Sequence, residues 1–442
     1  MKIKAEYILI FAFFILSFFH TALLILVWFA LSAYLCVKHG TDGAVISLVL
    51  IAIRSVINPG IAVSVESASM IKWGLLFLLS FFIVVKKKIT FDKHFVRFFV
   101  LFLLYSLYLI VSSFITGSFP IISMFKVISW AFIFFAVIIA IQDEDGERWS
   151  SFLFSILCIL IFASVFLLPS KIGYLRNGRG FQGLINHPNM FGVLCALFFS
   201  VTIAQKNSIG KLQKFIILAV CCLFAVLSQS RTSVFSIFIF VALYIFTSKL
   251  HPADKLMSLF VAVIIFGGLY FVLVLNDPSR SGSVFKFVYK GHTEDILFSR
   301  SGQLDVLSEN FKAHPFLGCG FMTKYIEGTR SMELSLSKNF EPGNLVLFLL
   351  GHTGIIGTVL FFILFGYYFT LTPTEWRLLF LTPFLLSFGE MIFFSSNSIA
   401  ILYYVIFGIC FKPELAAKNT EDSPQNRKPG NRSLYEKNII PY

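Results

Sequence analysis

The chain has 442 residues, 57% of them hydrophobic and only 13% charged, with a mean hydropathy of +0.84. A soluble domain has no means of hiding so much apolar surface, and continuous apolar runs of about 20 residues, without alternation, exclude a closed β-barrel. The net charge of +13 then belongs to loops facing anionic lipid, and no basic aromatic domain is present to hold nucleic acid.

The expected fold is an all-α polytopic membrane protein with about 12–14 transmembrane helices and one large, partly helical periplasmic loop. Residues 1–169 form a first group of membrane helices. Lys2 and Lys4 precede an apolar run over 7–37 that exceeds a signal core, so this segment is expected to stay as an anchor. The run is also too long for one span. A break near Ser17–Thr21, with His20 in it, makes a hairpin whose first helix is short. Further runs follow near 42–57, 69–85, 95–115, 121–141 and 151–169.

Residues 170–275 carry more spans and three polar interruptions. The first is the short loop Ser170 to Asn186, with Lys171, Arg176 and Arg179. The second, His187-Pro188-Asn189, opens a span; Pro188 suits a first helical turn, so His187 is either an interfacial helix start or part of a polar pair facing a cavity. The third is Ser228-Gln-Ser-Arg-Thr-Ser233 between two apolar runs. An arginine at bilayer depth costs roughly 2.5–3.5 kcal/mol. Arg231 therefore either snorkels to lipid headgroups or forks onto phosphate or carboxylate oxygens.

If the spans alternate, Lys38, the Lys86–Lys88 cluster, Lys206, Lys211, Lys214, Lys249, Lys255, Arg377 and the tail share one side, the cytoplasm, with both termini. The Arg176/Arg179 loop and the large loop 276–342 then fall outside. Basic residues retained there point to an anionic ligand, although long loops escape the charge rule. The large loop holds eight Lys or Arg residues. Within it, Arg300 precedes Leu304, Leu307 and Phe311 at helical spacing, which predicts an amphipathic helix near the membrane face. His314-Pro-Phe-Leu-Gly-Cys-Gly320 ends that helix in a turn whose glycines allow close backbone approach at a pocket rim.

Glu341-Pro-Gly-Asn344 leads into the spans of 343–411, with Glu341 either a general base or a cap. Residues 412–442 read as a disordered cytoplasmic tail. Inside the spans, Arg54, Lys126, His352 and Glu390 are polar contacts within the bundle, and no spacing among them names a reaction. The seven cysteines give no disulfide or metal framework, and phosphate-loop and His-Glu-x-x-His motifs are absent. Glu294-Asp295 is the place a carboxylate metal cage would form; no metal and no cofactor are expected.

Gly180-Phe-Gln-Gly-Leu-Ile-Asn-His-Pro-Asn189, Ser228–Ser233, Arg300 through Gly320, and Asn344 with Gly354-Ile-Ile-Gly357 occur in this order around one large outside loop. As an ordered set they resemble the O-antigen ligase/polymerase family, GT-C-like bacterial membrane enzymes, over roughly residues 170–360. The resemblance implies a metal-independent, inverting glycosyltransferase of the inner membrane with its site facing the periplasm. Its substrate would be an undecaprenyl-diphosphate-linked oligosaccharide, with membrane lipid and a chain-length regulator protein as further partners and no nucleic acid. The acceptor is lipid A-core in ligases and another lipid-linked repeat unit in polymerases. By position, Arg231 and Arg300 correspond to the family's two diphosphate-associated arginines. Ligases usually carry a His before the final-motif Asn, and here that position is Gly343. Glu341 and His187 are the remaining catalytic candidates, with Arg176, Arg179, Asn189, Asn344 and His314 as substrate-binding residues. The missing His favours a repeat-unit polymerase over a ligase; a flippase or transporter of lipid-linked sugar is the alternative of another class.

Overall fold

The computed structural model describes residues 5–89, 92–176, 178, 180–205, 209–247, 301–333, 340 and 342–412. Among these residues the regular structure is helical, with no strand and a lone antiparallel bridge between Ile57 and Ile185. The all-α polytopic class therefore holds.

The first apolar run breaks where expected. Helix α1 (Ala5–Leu16) ends before Ser17, and α2 (Thr21–Ser55) begins after His20, whose Nδ1 accepts the Ala22 N–H at 3.1 Å. Helix α2 is 35 residues long and is interrupted at Gly40, where φ 59° and ψ −130° suit only glycine. A Cβ on Gly43 would overlap the Leu35 carbonyl. Residues eight apart in a continuous helix stand about 12 Å apart, so the chain doubles back at Gly40. Leu31 and Leu35 of the first arm then pack with Ile46 and Leu50 of the second.

The remaining helices are α3 (Ser69–Lys86), α4 (Lys93–Thr116), α5 (Pro120–Ile141), α6 (Gly146–Ser164), α7 (Pro188–Ala204), α8 (Lys211–Leu227), α9 (Arg231–Thr247), α10 (Ser301–Ala313), α11 (Leu345–Thr370), α12 (Arg377–Ser387) and α13 (Ala400–Cys410). Asp92 and Asp145 cap α4 and α6, and Pro120 and Pro188 open α5 and α7. Among the described residues six helices are long and apolar enough to cross a membrane: α2, α3 with its leading turn, α4, α5, α6 with its trailing turn, and α11. Helices α7, α9 and α13 are apolar but shorter. The apolar run 256–275 lies outside the described residues.

Packing between helices in lipid relies on shape and polar contacts, because lipid is as apolar as the side chains. Here aromatic rings fill the centre. Phe134 of α5 meets Tyr404 and Phe407 of α13, and Phe98 of α4 meets Tyr368 of α11 at 4.9 Å.

Polar contacts gather at two opposite ends. At one, Lys87 pairs with Glu144 at 3.0 Å, Arg148 with Asp42 at 2.7 Å, and the Lys412 ammonium donates to the Ile141 carbonyl at 3.2 Å. The other end holds the polar loops. There the Asn58 N–H donates to the Leu184 carbonyl at 2.8 Å and the Asn186 N–H to that of Val56 at 2.7 Å. Arg54, buried in α2, spans this end's first turn: it donates to Ser17 Oγ at 3.1 Å, the Ser17 carbonyl at 3.0 Å and the Val63 carbonyl at 2.8 Å, and lies 5.2 Å from the Phe18 ring centroid. Its role is structural.

Candidate active site at the loop end

The Ser228–Ser233 stretch is a tight corner between α8 and α9. Gln229 takes a positive φ of 55° there. Ser228 Oγ donates to the Ala225 carbonyl at 2.8 Å and accepts the Ser230 N–H at 3.3 Å, while Ser230 and Ser233 hydroxyls meet at 2.7 Å. The corner presses onto α7 at Gly192, where a Cβ would stand 2.5 Å from Ser230 Cβ and 2.7 Å from Ser228 Oγ. Arg231, the half-buried first residue of α9, is thus carried next to the start of α7. The N-terminal ends of the two helices, each the positive end of a helix dipole, lie side by side, and that field favours an anion.

His187 is the N-cap of α7; its Nδ1 accepts the Asn189 N–H at 3.2 Å. With Nδ1 accepting, the neutral ring carries its proton on Nε2. Asn189 Nδ2 donates to Glu390 Oε1 at 2.7 Å.

Glu390 belongs to a stretch that composition does not reveal. Not all of the spans expected over 343–411 are full-length helices. Helices α12 and α13 are 11 residues each, about 16 Å, against a hydrocarbon core of about 30 Å. Between them residues 388–399 run as irregular, mostly buried backbone that bonds to itself: Glu390 N–H to the Leu386 carbonyl at 3.1 Å, Ile392 N–H to that of Glu390 at 2.8 Å, Ser395 N–H to that of Ile392 at 2.8 Å. Backbone of this kind persists at membrane depth only inside protein or along a cavity.

This stretch joins three sides of the bundle. A Cβ on Gly389 would overlap the Thr232 side chain, so it touches the first turn of α9. Phe394 stacks on Phe348 of α11 at 5.4 Å and meets Trp130 of α5 edge-on at 5.0 Å. The Asn397 carbonyl accepts a long bond, 3.5 Å, from Lys72 of α3. Lys72 and Lys126 of α5 are both buried and within electrostatic reach of each other, adding positive charge on that side.

On the α11 side the large loop locks into a broken helix. Gly354 has φ 65° and ψ −173°, outside the helical region. The freed N–H groups of the following turn are met by the loop: Ile355 N–H donates to the Pro315 carbonyl at 2.9 Å and Ile356 N–H to that of Phe316 at 3.3 Å. His352 Nδ1 lies 2.7 Å from the Gly320 carbonyl, and Thr116 Oγ1 donates to the Gly318 carbonyl at 2.5 Å. The expected amphipathic helix is α10, and its apolar stripe finds a partner: Leu307 is buried against Gly351 of α11.

The structure sets the start of α9, which carries Arg231, against the first turns of α7, which His187 and Asn189 open. Asn344 is the N-cap of α11, its Oδ1 accepting the Leu347 N–H at 3.0 Å. His314 Nε2 lies 3.3 Å from Tyr325 Oη, in the turn after α10. Arg176 is exposed on the short loop, with its N–H on Gln182 Oε1 at 2.9 Å. Arg179, Arg300, Glu341 and the Glu294-Asp295 pair lie outside the described residues. Sequence reasoning left Glu390 among the polar contacts of the bundle and overlooked Asn58. The signal for Glu390 was its charge inside an apolar run; for Asn58 it was the Asn-Pro-Gly turn after a span.

No curated protein matches the chain. Residues 215–362, from α8 through the corner at Arg231 and the large loop to α11, match the family model described as O-antigen ligase. That segment, about a third of the chain, is similar to the O-antigen ligase/polymerase family, in keeping with the order of the motifs in the sequence.

Proposed function

We propose that the protein is a repeat-unit polymerase of an O-antigen or related surface polysaccharide. It would sit in the bacterial inner membrane with both termini cytoplasmic and the loop end facing the periplasm. The donor is a glycan on undecaprenyl diphosphate, and the acceptor is a sugar hydroxyl of a second lipid-linked unit. The carrying observation is the convergence of Arg231, the paired N-termini of α7 and α9, and the Asn189–Glu390 contact at one end of the bundle.

The chemistry follows from that placement. As the glycosidic C–O bond to the diphosphate breaks, negative charge grows on the leaving phosphate. Fixed guanidinium and backbone N–H groups in a site poor in water stabilise that charge more in the transition state than in the ground state. Arg231 and Arg300 are assigned to the diphosphate, and Arg176, Arg179, Asn189, Asn344 and His314 to the glycan or its phosphates. Inversion at the anomeric carbon follows from a single displacement. Gly343 at the position of the ligase His favours the polymerase over the ligase.

Deletion of the gene, with surface glycans displayed on a gel, tests this reading. Core capped by a single repeat unit is the expected result. Unmodified core with accumulating lipid-linked polymer would assign the protein as a ligase. Unchanged glycans would reject both.

A further inference from the structure

We infer that Lys72 marks a second anion subsite, which holds the carrier phosphates of the acceptor while Arg231 holds those of the donor. The inference rests on the transferase reading above. A repeat-unit polymerase binds two lipid-linked units at once, and the phosphates of only one of them leave.

Lys72 lies in the first turn of α3, at the loop end, and Lys126 lies near the start of α5. They are 8% and 5% exposed. A lysine is buried to that degree only with a partner or for a ligand. Lys72 carries three donors, and among the described residues its hydrogen bond is a long one, 3.5 Å, to the Asn397 carbonyl. The charge it feels comes from Lys126 and has its own sign. A neutral carbonyl at that distance does not balance an ammonium; a phosphate oxygen at normal hydrogen-bond length does. Arg54 supplies the contrast. It is buried as well, but it spends its guanidinium on three protein oxygens at 3.1 Å or closer and has no need of a ligand.

The backbone sets this cation apart from Arg231 while keeping both at one end of the bundle. The irregular stretch 388–399 touches the first turn of α9 through Gly389, which packs on Thr232. Eight residues later it reaches α3, where Asn397 meets Lys72. Arg231 and Lys72 thus belong to two elements held by opposite ends of one self-bonded segment. The large loop reaches the Lys72 side as well. Ser123 Oγ, one turn before Lys126, lies 3.2 Å from Thr323 Oγ1, and Ser118 Oγ donates to the Ile326 carbonyl at 3.0 Å. Two phosphate groups can then be held at once, each on its own cation, with the segment between them keeping like charges apart.

The test uses the full-length protein in phosphatidylcholine nanodiscs, with undecaprenyl diphosphate as the probe and the number of molecules bound per protein as the readout. Two are expected for the wild type. Lys72→Gln is expected to keep one site and to weaken the other about 10- to 100-fold, the loss of a charged hydrogen bond. Lys72→Met isolates a structural role. It buries no charge, so the unfolding temperature of the ligand-free protein should stay the same or rise, again with one site left. It also replaces Lys72→Gln should that variant fail to fold. Both sites at wild-type affinity in these variants would overturn the inference, and a lowered unfolding temperature beside them would make Lys72 a strut of the fold. A single site on the wild type would overturn it too and leave the transferase intact. No binding by the wild type would instead reject the transferase reading itself. With phosphatidylglycerol in place of phosphatidylcholine, both sites should still fill. Loss of the Lys72-dependent site alone would make it a headgroup site for bilayer phospholipid and overturn the acceptor assignment.

Discussion

Gly354 of α11 lies directly beneath the Phe316 carbonyl of the large loop, so closely that a single Cβ at position 354 would overlap it. The break in the helix and the turn that fills it are one unit. Helix α11 gives up its own bonding at Gly354, and Pro315 and Phe316 replace the lost acceptors. The turn of the large loop at Pro315–Gly318 is therefore a structural wedge in α11.

Gly354→Ala should break this lock. The positive φ alone costs about 1–3 kcal/mol for a non-glycine residue, and the overlap with backbone atoms leaves no flexible neighbour to yield. A sharply lowered unfolding temperature in detergent and loss of surface polymer are expected. Gly366→Ala, on the same helix with open space around it, should be neutral or stabilising by up to about 1 kcal/mol. Equal behaviour of the two variants would show that the wedge does not matter.

Asn58→Ala isolates the second organising contact. Asn58 is fully buried; its Nδ2 donates to the Ile172 and Gly183 carbonyls, each at 2.9 Å, and its Oδ1 accepts the Gly60 N–H at 2.9 Å. Alanine leaves three backbone groups without their partner, of which the buried Gly183 carbonyl costs about 1–3 kcal/mol. The expected outcome is a clear drop in thermal stability, with proteolysis beginning in the loop before α7. That loop leads into His187 and Asn189, so transfer should fall as well. Native stability in Asn58→Ala would count against the contact.

These two contacts show which parts of the molecule were legible in the sequence. The apolar runs, the break at His20, the start of α7 at Pro188 and the helix after Arg300 follow from composition and capping, because each is decided within a few residues. The break at Gly354 was not visible: Gly354-Ile-Ile-Gly357 reads as the opening of a span, yet α11 already runs from Leu345. Residues 388–399 were hidden for a related reason. Their irregular backbone satisfies itself inside protein, so the side chains stay as apolar as those of a helix. Glu390 was visible as a charge, but its partner Asn189 lies 201 residues earlier, a pairing that only the fold creates.

Cys319 gives a chemical probe of the same wedge. It is the cysteine of the large loop, it is buried, and its thiol donates to the Asn310 carbonyl at 3.1 Å. Burial pushes its pKa up to about 12, so the reactive thiolate is scarce at neutral pH. A membrane-impermeant maleimide applied to the folded protein should leave Cys319 unlabelled, and Gly354→Ala should expose it to labelling. Rapid modification of Cys319 in the wild-type protein would contradict the packed turn.

Arg231→Lys tests whether a fork or merely a charge is needed at the start of α9. Lysine keeps the positive charge and the helix dipole environment, but presents a point charge where guanidinium offers two parallel N–H groups to one phosphate. If the arginine stabilises charge developing on the leaving diphosphate, turnover should fall about 10²- to 10³-fold. Apparent affinity for the lipid-linked donor should change much less, because the interaction strengthens in the transition state. Arg176→Lys, on an exposed loop residue, should cost far less, and mainly in affinity. A loss confined to donor affinity in Arg231→Lys would make the residue a general anchor for the phosphates. Undiminished turnover would remove it from the site.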